Sequence, residues 1–236
     1  SVALSGESAV AVGSTTKLTT TKKASSRAKI TYTSSDETVA TVAADGTVTG
    51  VKAGKATITA KITVGKDSAE TTKDVEVKKF ILNSVTQSKL RELTVDVAGD
   101  TKALKATDFT VVNPKTNVKY PVSKIAVDSK NTTKVTLTMF ADLSDAADYD
   151  VTLDGITKSF KATDGKVASI SVDPLTIPYA TEKEIKLVSK AANGVIVKEL
   201  PYGKADSSYT FTINTNGNGY TSGSNLYLNK AGDTAV

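Results

Sequence analysis

An all-β chain of antiparallel sandwiches in tandem is what the sequence predicts, on three observations. Apolar and polar residues alternate over short runs, Asx-Gly pairs punctuate those runs at hairpin intervals, and 236 residues is the length of two or three domains. Helical periodicity is hard to find.

The elements follow in order. Lys29-Ile30-Thr31-Tyr32-Thr33, Thr47-Val48-Thr49 and the long run 56–64 each put Val, Ile, Tyr or Ala on one face, the pattern of half-buried strands. Leu93-Thr94-Val95-Asp96-Val97, the run 134–139 and Tyr149-Asp150-Val151-Thr152-Leu153 do the same in the middle of the chain, and Tyr209-Thr210-Phe211-Thr212-Ile213 near its end. Asp45-Gly46, Asp154-Gly155, Asp164-Gly165, Asn193-Gly194 and Asn216-Gly217-Asn218-Gly219 suit the positive φ of tight turns.

Val77-Lys78-Lys79-Phe80 and Ala162-Thr163-Asp164-Gly165-Lys166 each follow a charged strand end and precede a fresh apolar pattern. They divide the chain into segments 1–80, 81–163 and 164–236. An internal repeat links the outer two: Lys52-Ala53-Gly54 matches Lys230-Ala231-Gly232, and Thr16-Lys17-Leu18 matches Ile185-Lys186-Leu187, in the same order. On that correspondence the chain stops inside the strand that 56–64 forms in the first segment, so the third domain is expected to be truncated. Ser1 reads as an internal cut, and the whole as a fragment of a longer tandem array.

Composition narrows the function. Without Cys, His or Trp the chain has no thiolate nucleophile, no Ser-His or Cys-His pair and no Cys/His metal site, so no enzyme activity is expected. The net charge of +5 comes from 30 basic residues scattered among 25 acidic ones, and only Arg27 and Arg91 are arginine. That is poor equipment for reading phosphates or base edges, and no nucleic-acid partner is expected. No run of 18 apolar residues is present, so no membrane partner is expected either.

The acid-rich stretch holding Asp142, Asp145, Asp148 and Asp150 is the candidate metal site, because Ca²⁺ takes six to eight oxygen ligands and this density of carboxylates supplies several. The alternative is a plain turn before the strand at 149–153, with Tyr149 as a tyrosine corner bonded to nearby backbone. Asp36 with Glu37, Asp96 with Asp100, and Asp206 are lesser candidates; Asp36, after two serines, reads better as a turn cap. A two-carboxylate glycosidase site lacks an aromatic sugar platform. Asn131-Thr132-Thr133 is a formal glycosylation sequon read as a polar hairpin loop, and 216–225 reads as a long surface loop contacting a neighbouring subunit.

Tyr32, Ser34-Ser35-Asp36, Val39-Ala40-Thr41-Val42, the Asp45-Gly46 turn, and Gly50, Gly54, Ala56 and Ile58 in their spacing together resemble the group 2 bacterial immunoglobulin-like domain. Tyr32 stands where that family usually has Trp, which a core accepts when the hydroxyl reaches a partner. The resemblance implies tandem Ig-like β-sandwich domains of a secreted bacterial surface protein. The Lys-rich, Arg-poor, Thr- and Val-rich tandem is most similar in style to the interior of a surface-layer (S-layer) protein of a Gram-positive bacillus. Such a protein self-assembles by lateral contacts into a cell-surface lattice, often with Ca²⁺, and reaches the cell-wall polymer through regions outside this piece. An adhesin stalk and a glycan-binding accessory region of a wall enzyme are the rival expectations.

Overall fold

The computed structural model describes residues 1–23, 27–172, 182–202 and 219–228. Among them the only helices are two single 3₁₀ turns, Thr101–Ala103 and Ala106–Asp108. The chain divides into two compact units. One comprises Ser1–Thr86, Leu93–Phe140 and Asp148–Phe160; the other comprises Gln87–Glu92, Ala141–Ala147 and the described part of Lys161–Val236.

The first unit opens with nine strands: β1 (Val2–Ser5), β2 (Ala9–Ala11), β3 (Thr15–Lys17), β4 (Thr19–Lys22), β5 (Lys29–Ser34), β6 (Ala40–Val42), β7 (Thr47–Gly50), β8 (Gly54–Val64) and β9 (Asp67–Lys78). They form a sheet β2-β9-β8-β5, a sheet β3-β7-β6 and a pair β1-β4. The first stretch of chain changes partner half-way: β1 runs antiparallel to β4, while β2 runs parallel to β9 with Ala9 opposite Glu76. The alternation read in 56–64 is what buries Ala56, Ile58, Ala60 and Ile62 while Lys55 and Lys61 stay outside. Val10, Leu18, Ala40, Val48, Ala56, Ile58, Val75 and Val77 form the core, flanked by Leu4, Val12, Val39 and Val42. Each fully buried Val, Leu or Ile contributes about 1.5–3 kcal/mol.

Eight more strands follow: β10 (Phe80–Lys89), β11 (Glu92–Gly99), β12 (Phe109–Asn113), β13 (Val118–Lys119), β14 (Val122–Val127), β15 (Lys134–Met139), β16 (Asp148–Leu153) and β17 (Ile156–Lys161). Their sheets run β14-β15-β11-β10 and β13-β12-β16-β17. Leu82, Val95, Val97, Leu137, Val151 and Leu153 are buried to within 1%. Tyr149 is equally buried, its ring edge-on to Tyr120 at 5.0 Å and stacked on Phe160 at 5.7 Å, so its place in this sandwich is as an aromatic core residue. Asp154 (φ 48°) and Gly155 (φ 76°) close β16 onto β17 in the two-residue turn their sequence calls for.

The second unit contains β18 (Ser169–Val172), β19 (Glu182–Glu184), β20 (Lys186–Lys190), β21 (Ile196–Pro201), β22 (Gly219–Ser222) and β23 (Asn225–Leu228). β18 and β21 flank β20, and β19-β23-β22 is a separate sheet. Lys89 pairs in parallel with Ile196, and its ammonium meets Glu199 at 2.9 Å. Gln87 ties the segments of this unit together: its Nε2 donates to Leu143 O at 2.7 Å and its Oε1 accepts from Thr163 N–H at 2.8 Å.

One strand pairing of the first sandwich, β3 with β7, recurs in this unit as β19 with β23. At the spacing set by Lys52-Ala53-Gly54 and Lys230-Ala231-Gly232, β7 falls on β23. Thr15, Thr16 and Lys17 pair with Thr49, Val48 and Thr47; Glu182, Lys183 and Glu184 pair with the corresponding Tyr227, Leu226 and Asn225. Leu18 N–H donates to Gly46 O and Ile185 N–H to Ser224 O, both at 2.9 Å. The match of Leu18 to Leu187 is therefore corrected: Ile185 is its equivalent, because each is the buried residue at which the strand changes partner. The loop expected at 216–225 is also corrected. Its described part is the hairpin β22–β23, turning at Gly223 (φ 56°), where Tyr220 stacks on Tyr227 at 4.8 Å. The strand expected at 209–213 lies outside the described residues.

Candidate functional site

The four carboxylates of the acid-rich stretch have separate surroundings. Asp142 receives the Arg91 Nε–H at 2.5 Å, Asp145 accepts the Ala147 N–H at 3.2 Å, Asp148 is exposed at the start of β16, and Asp150 accepts the Ser159 hydroxyl at 2.6 Å. Among the described residues no group of three or more acids is arranged to hold a metal ion.

The other acids hold backbone. Asp36 accepts the Thr38 hydroxyl at 2.6 Å and the Thr38 N–H at 2.9 Å, the turn cap expected of it, and the hydroxyl bond is the main cause of a pKa below the usual carboxylate value. Asp45 does the same for Thr47 and also takes the Lys17 ammonium at 2.6 Å, which holds its carboxyl well below the usual range. Asp96 gathers Asn83 Nδ2 at 3.0 Å, Lys134 Nζ at 2.8 Å and the Thr133 hydroxyl at 3.2 Å, with Asn83 first among the causes of its lowered pKa. Asp100 caps the 3₁₀ turn at Thr101–Ala103 by accepting Lys102 N–H. Asp206 lies outside the described residues. Asn131 accepts the Thr133 N–H and hydroxyl between β14 and β15, so the sequon sits in a polar hairpin turn.

A cleft of about 610 Å³ in the first unit is bordered by Glu7, Ser14, Thr16, Asn83, Ile156 and Lys158. Its charged members, Glu7 and Lys158, are exposed.

The residues of the sequence motif converge on packing. Tyr32 sends its hydroxyl to Thr20 Oγ1 at 2.7 Å, and the position of its ring explains Gly46: a Cβ there would stand 3.2 Å from the phenol and 2.6 Å from Leu18 O, at a φ of 85°. One sheet carrying β3, β7 and β6 and the other carrying β2, β9, β8 and β5 is the arrangement of an immunoglobulin sandwich. Residues 1–75 match the family model of the bacterial Ig-like domain (group 2). A stretch of 47 residues is 64% identical to an alpha-L-arabinofuranosidase of Bifidobacterium longum subsp. longum; it is 20% of this chain and 4% of that enzyme, so the chain spans a small fraction of its relative. Among solved structures, the N-terminal part of the bacterial S-layer protein SbsC is similar over 63% of this chain and 37% of its own, at 16% identity and a TM-score of 0.41. Domains 4–9 of SbsC are similar over 99% and 44%, at 16% identity and a TM-score of 0.28. The described residues are all-β apart from two 3₁₀ turns, and the first 75 residues are Ig-like.

One residue with a structural task escaped the motif reading. Asp154, legible only as half of a turn, also accepts the Phe80 N–H through its carboxylate at 3.2 Å and the Lys78 ammonium through its carbonyl at 3.2 Å. Nothing in the sequence near Asp154 announces partners that lie 74 and 76 residues away.

Proposed function

We propose that the chain supplies Ig-like modules to a secreted S-layer protein, a non-enzymatic building block that assembles through lateral contacts between copies into a two-dimensional lattice on the cell surface. The observation that supports this reading most is the in-register recurrence of the β3-β7 pairing as β19-β23, the mark of a tandem array. Modules repeated along a chain offer repeated surfaces, and heterologous contacts between such surfaces generate open arrays instead of closed oligomers. Anchoring to cell-wall polymer is assigned to regions outside this piece, and neither nucleic acid nor membrane is a partner. No helix among the described residues is long and apolar enough to cross a membrane.

Ca²⁺ dependence of assembly belongs to the same proposal. The test is sedimentation of the full-length protein after dialysis with Ca²⁺ and with a chelator. Pelleting that depends on Ca²⁺ supports the reading in full, pelleting in both supports assembly without the ion, and a soluble protein in both contradicts it.

The likeness to a piece of an arabinofuranosidase favours a second reading, an accessory module of a large secreted glycan-acting enzyme. Retention of this chain on insoluble wall glycan would distinguish it.

A further inference from the structure

We infer that the Asp154-Gly155 turn is a lock that holds the two sandwiches of the first unit, strands β1–β9 and β10–β17, in one fixed orientation. The inference concerns the isolated chain and does not rest on lattice assembly.

Lys79 alone separates β9 from β10, so the connection has almost no length to flex over. The structure engages it from both sides. Val12 N–H of the first sandwich donates to Lys78 O at 2.9 Å. From the second sandwich, Asp154 accepts the Phe80 N–H on its carboxylate and the Lys78 ammonium on its carbonyl, each at 3.2 Å. Gly99, at the end of β11, completes the enclosure: a Cβ there would come within 2.4 Å of Lys79 O, so the linker carbonyl lies directly against the glycine backbone. Lys78 also meets Glu76 at 3.4 Å, which holds the ammonium on the strand that delivers it.

The turn is suited to this task. A two-residue turn with positive φ at both positions matches the twist of its flanking strands, and it places Asp154 at the end of a paired hairpin. A bond from such a tip to the first residue of β10 fixes the direction in which β10 leaves β9. Asp154 is thus a positioning residue, acting on the orientation of folded parts and not on their folding.

The absence of native cysteine allows clean spin labelling. Labels at Lys66→Cys, in the β8–β9 turn, and Lys124→Cys, on β14, report the distance between sandwiches by electron–electron double resonance on the full chain. The unsubstituted lock is expected to give one narrow distance distribution. Asp154→Gly keeps the positive-φ turn and removes the carboxylate, and is expected to broaden the distribution while circular dichroism keeps its strand signal. Asp154→Asn, whose amide oxygen still accepts from Phe80 N–H, is expected to stay narrow. Lys78→Met removes the second bond without touching the turn and is expected to broaden it as well. A broad distribution in the unsubstituted protein overturns the inference. So does an unchanged one in Asp154→Gly, or in Lys78→Met should Asp154→Gly fail to fold.

Discussion

Tyr32 shows how one side chain can stand in for another when a polar atom finds its partner. Its ring packs over Gly46 and its hydroxyl reaches Thr20 at the rim of the core. Tyr32→Phe keeps the packing and loses that bond, and is expected to cost about 1 kcal/mol, read as a lower denaturation midpoint at constant m-value. Gly46→Ala is expected to cost more, since it adds strain at positive φ to a clash with Leu18 O, about 1–3 kcal/mol. Acid should act through Asp96. Its folded pKa is depressed by Asn83 and then by Lys134, so its stabilisation is present above its unfolded value near 3.9 and is lost as pH falls toward the folded value. The melting temperature is expected to drop below about pH 4, and Asp96→Asn to flatten that drop; an identical acid limb in the variant would exclude Asp96 as its source.

At the scale of the element, the recurring device is a strand that changes sheet at one buried apolar residue. Leu18 separates β3 from β4 and Ile185 separates β19 from β20, and each directs its N–H to the turn of the opposing hairpin. Leu18→Ala is expected to cost about 2–5 kcal/mol, and Ile185→Ala to lower protection from hydrogen exchange on β19 and β23. Much of this level was legible in the sequence. Period-2 alternation located β5, β7, β8, β11, β15 and β16, and Asp45-Gly46 and Asp154-Gly155 marked their turns, because both signals are local. What was not legible depends on contacts distant in sequence. The short strands β1, β2 and β18 are defined by pairing more than by pattern. The match of Leu18 to Leu187 was two residues off, because similar letters do not report where a strand leaves a sheet. The acid-rich stretch illustrates the same limit: carboxylate density is visible along the chain, while the Arg91 and Ser159 groups that engage Asp142 and Asp150 are brought up only by the fold.

For the molecule as a whole, the account joins three features: an Ig-like sandwich at residues 1–75, a one-residue linker locked by Asp154 within the first unit, and a strand pairing that recurs in register in the second. Stiff, repeated modules are what a lattice needs, since flexible joints would let each contact form in many geometries. That leads to an expectation across scales: substitutions that loosen the Asp154 lock without unfolding either sandwich should lower the order of any assembly more than its amount. The most direct test of the central claim is electron microscopy of the full-length protein, incubated with Ca²⁺ and adsorbed to a carbon film. The account predicts sheets whose Fourier transforms show sharp, two-dimensional lattice spots. Fields of dispersed single molecules under every ionic condition would contradict it.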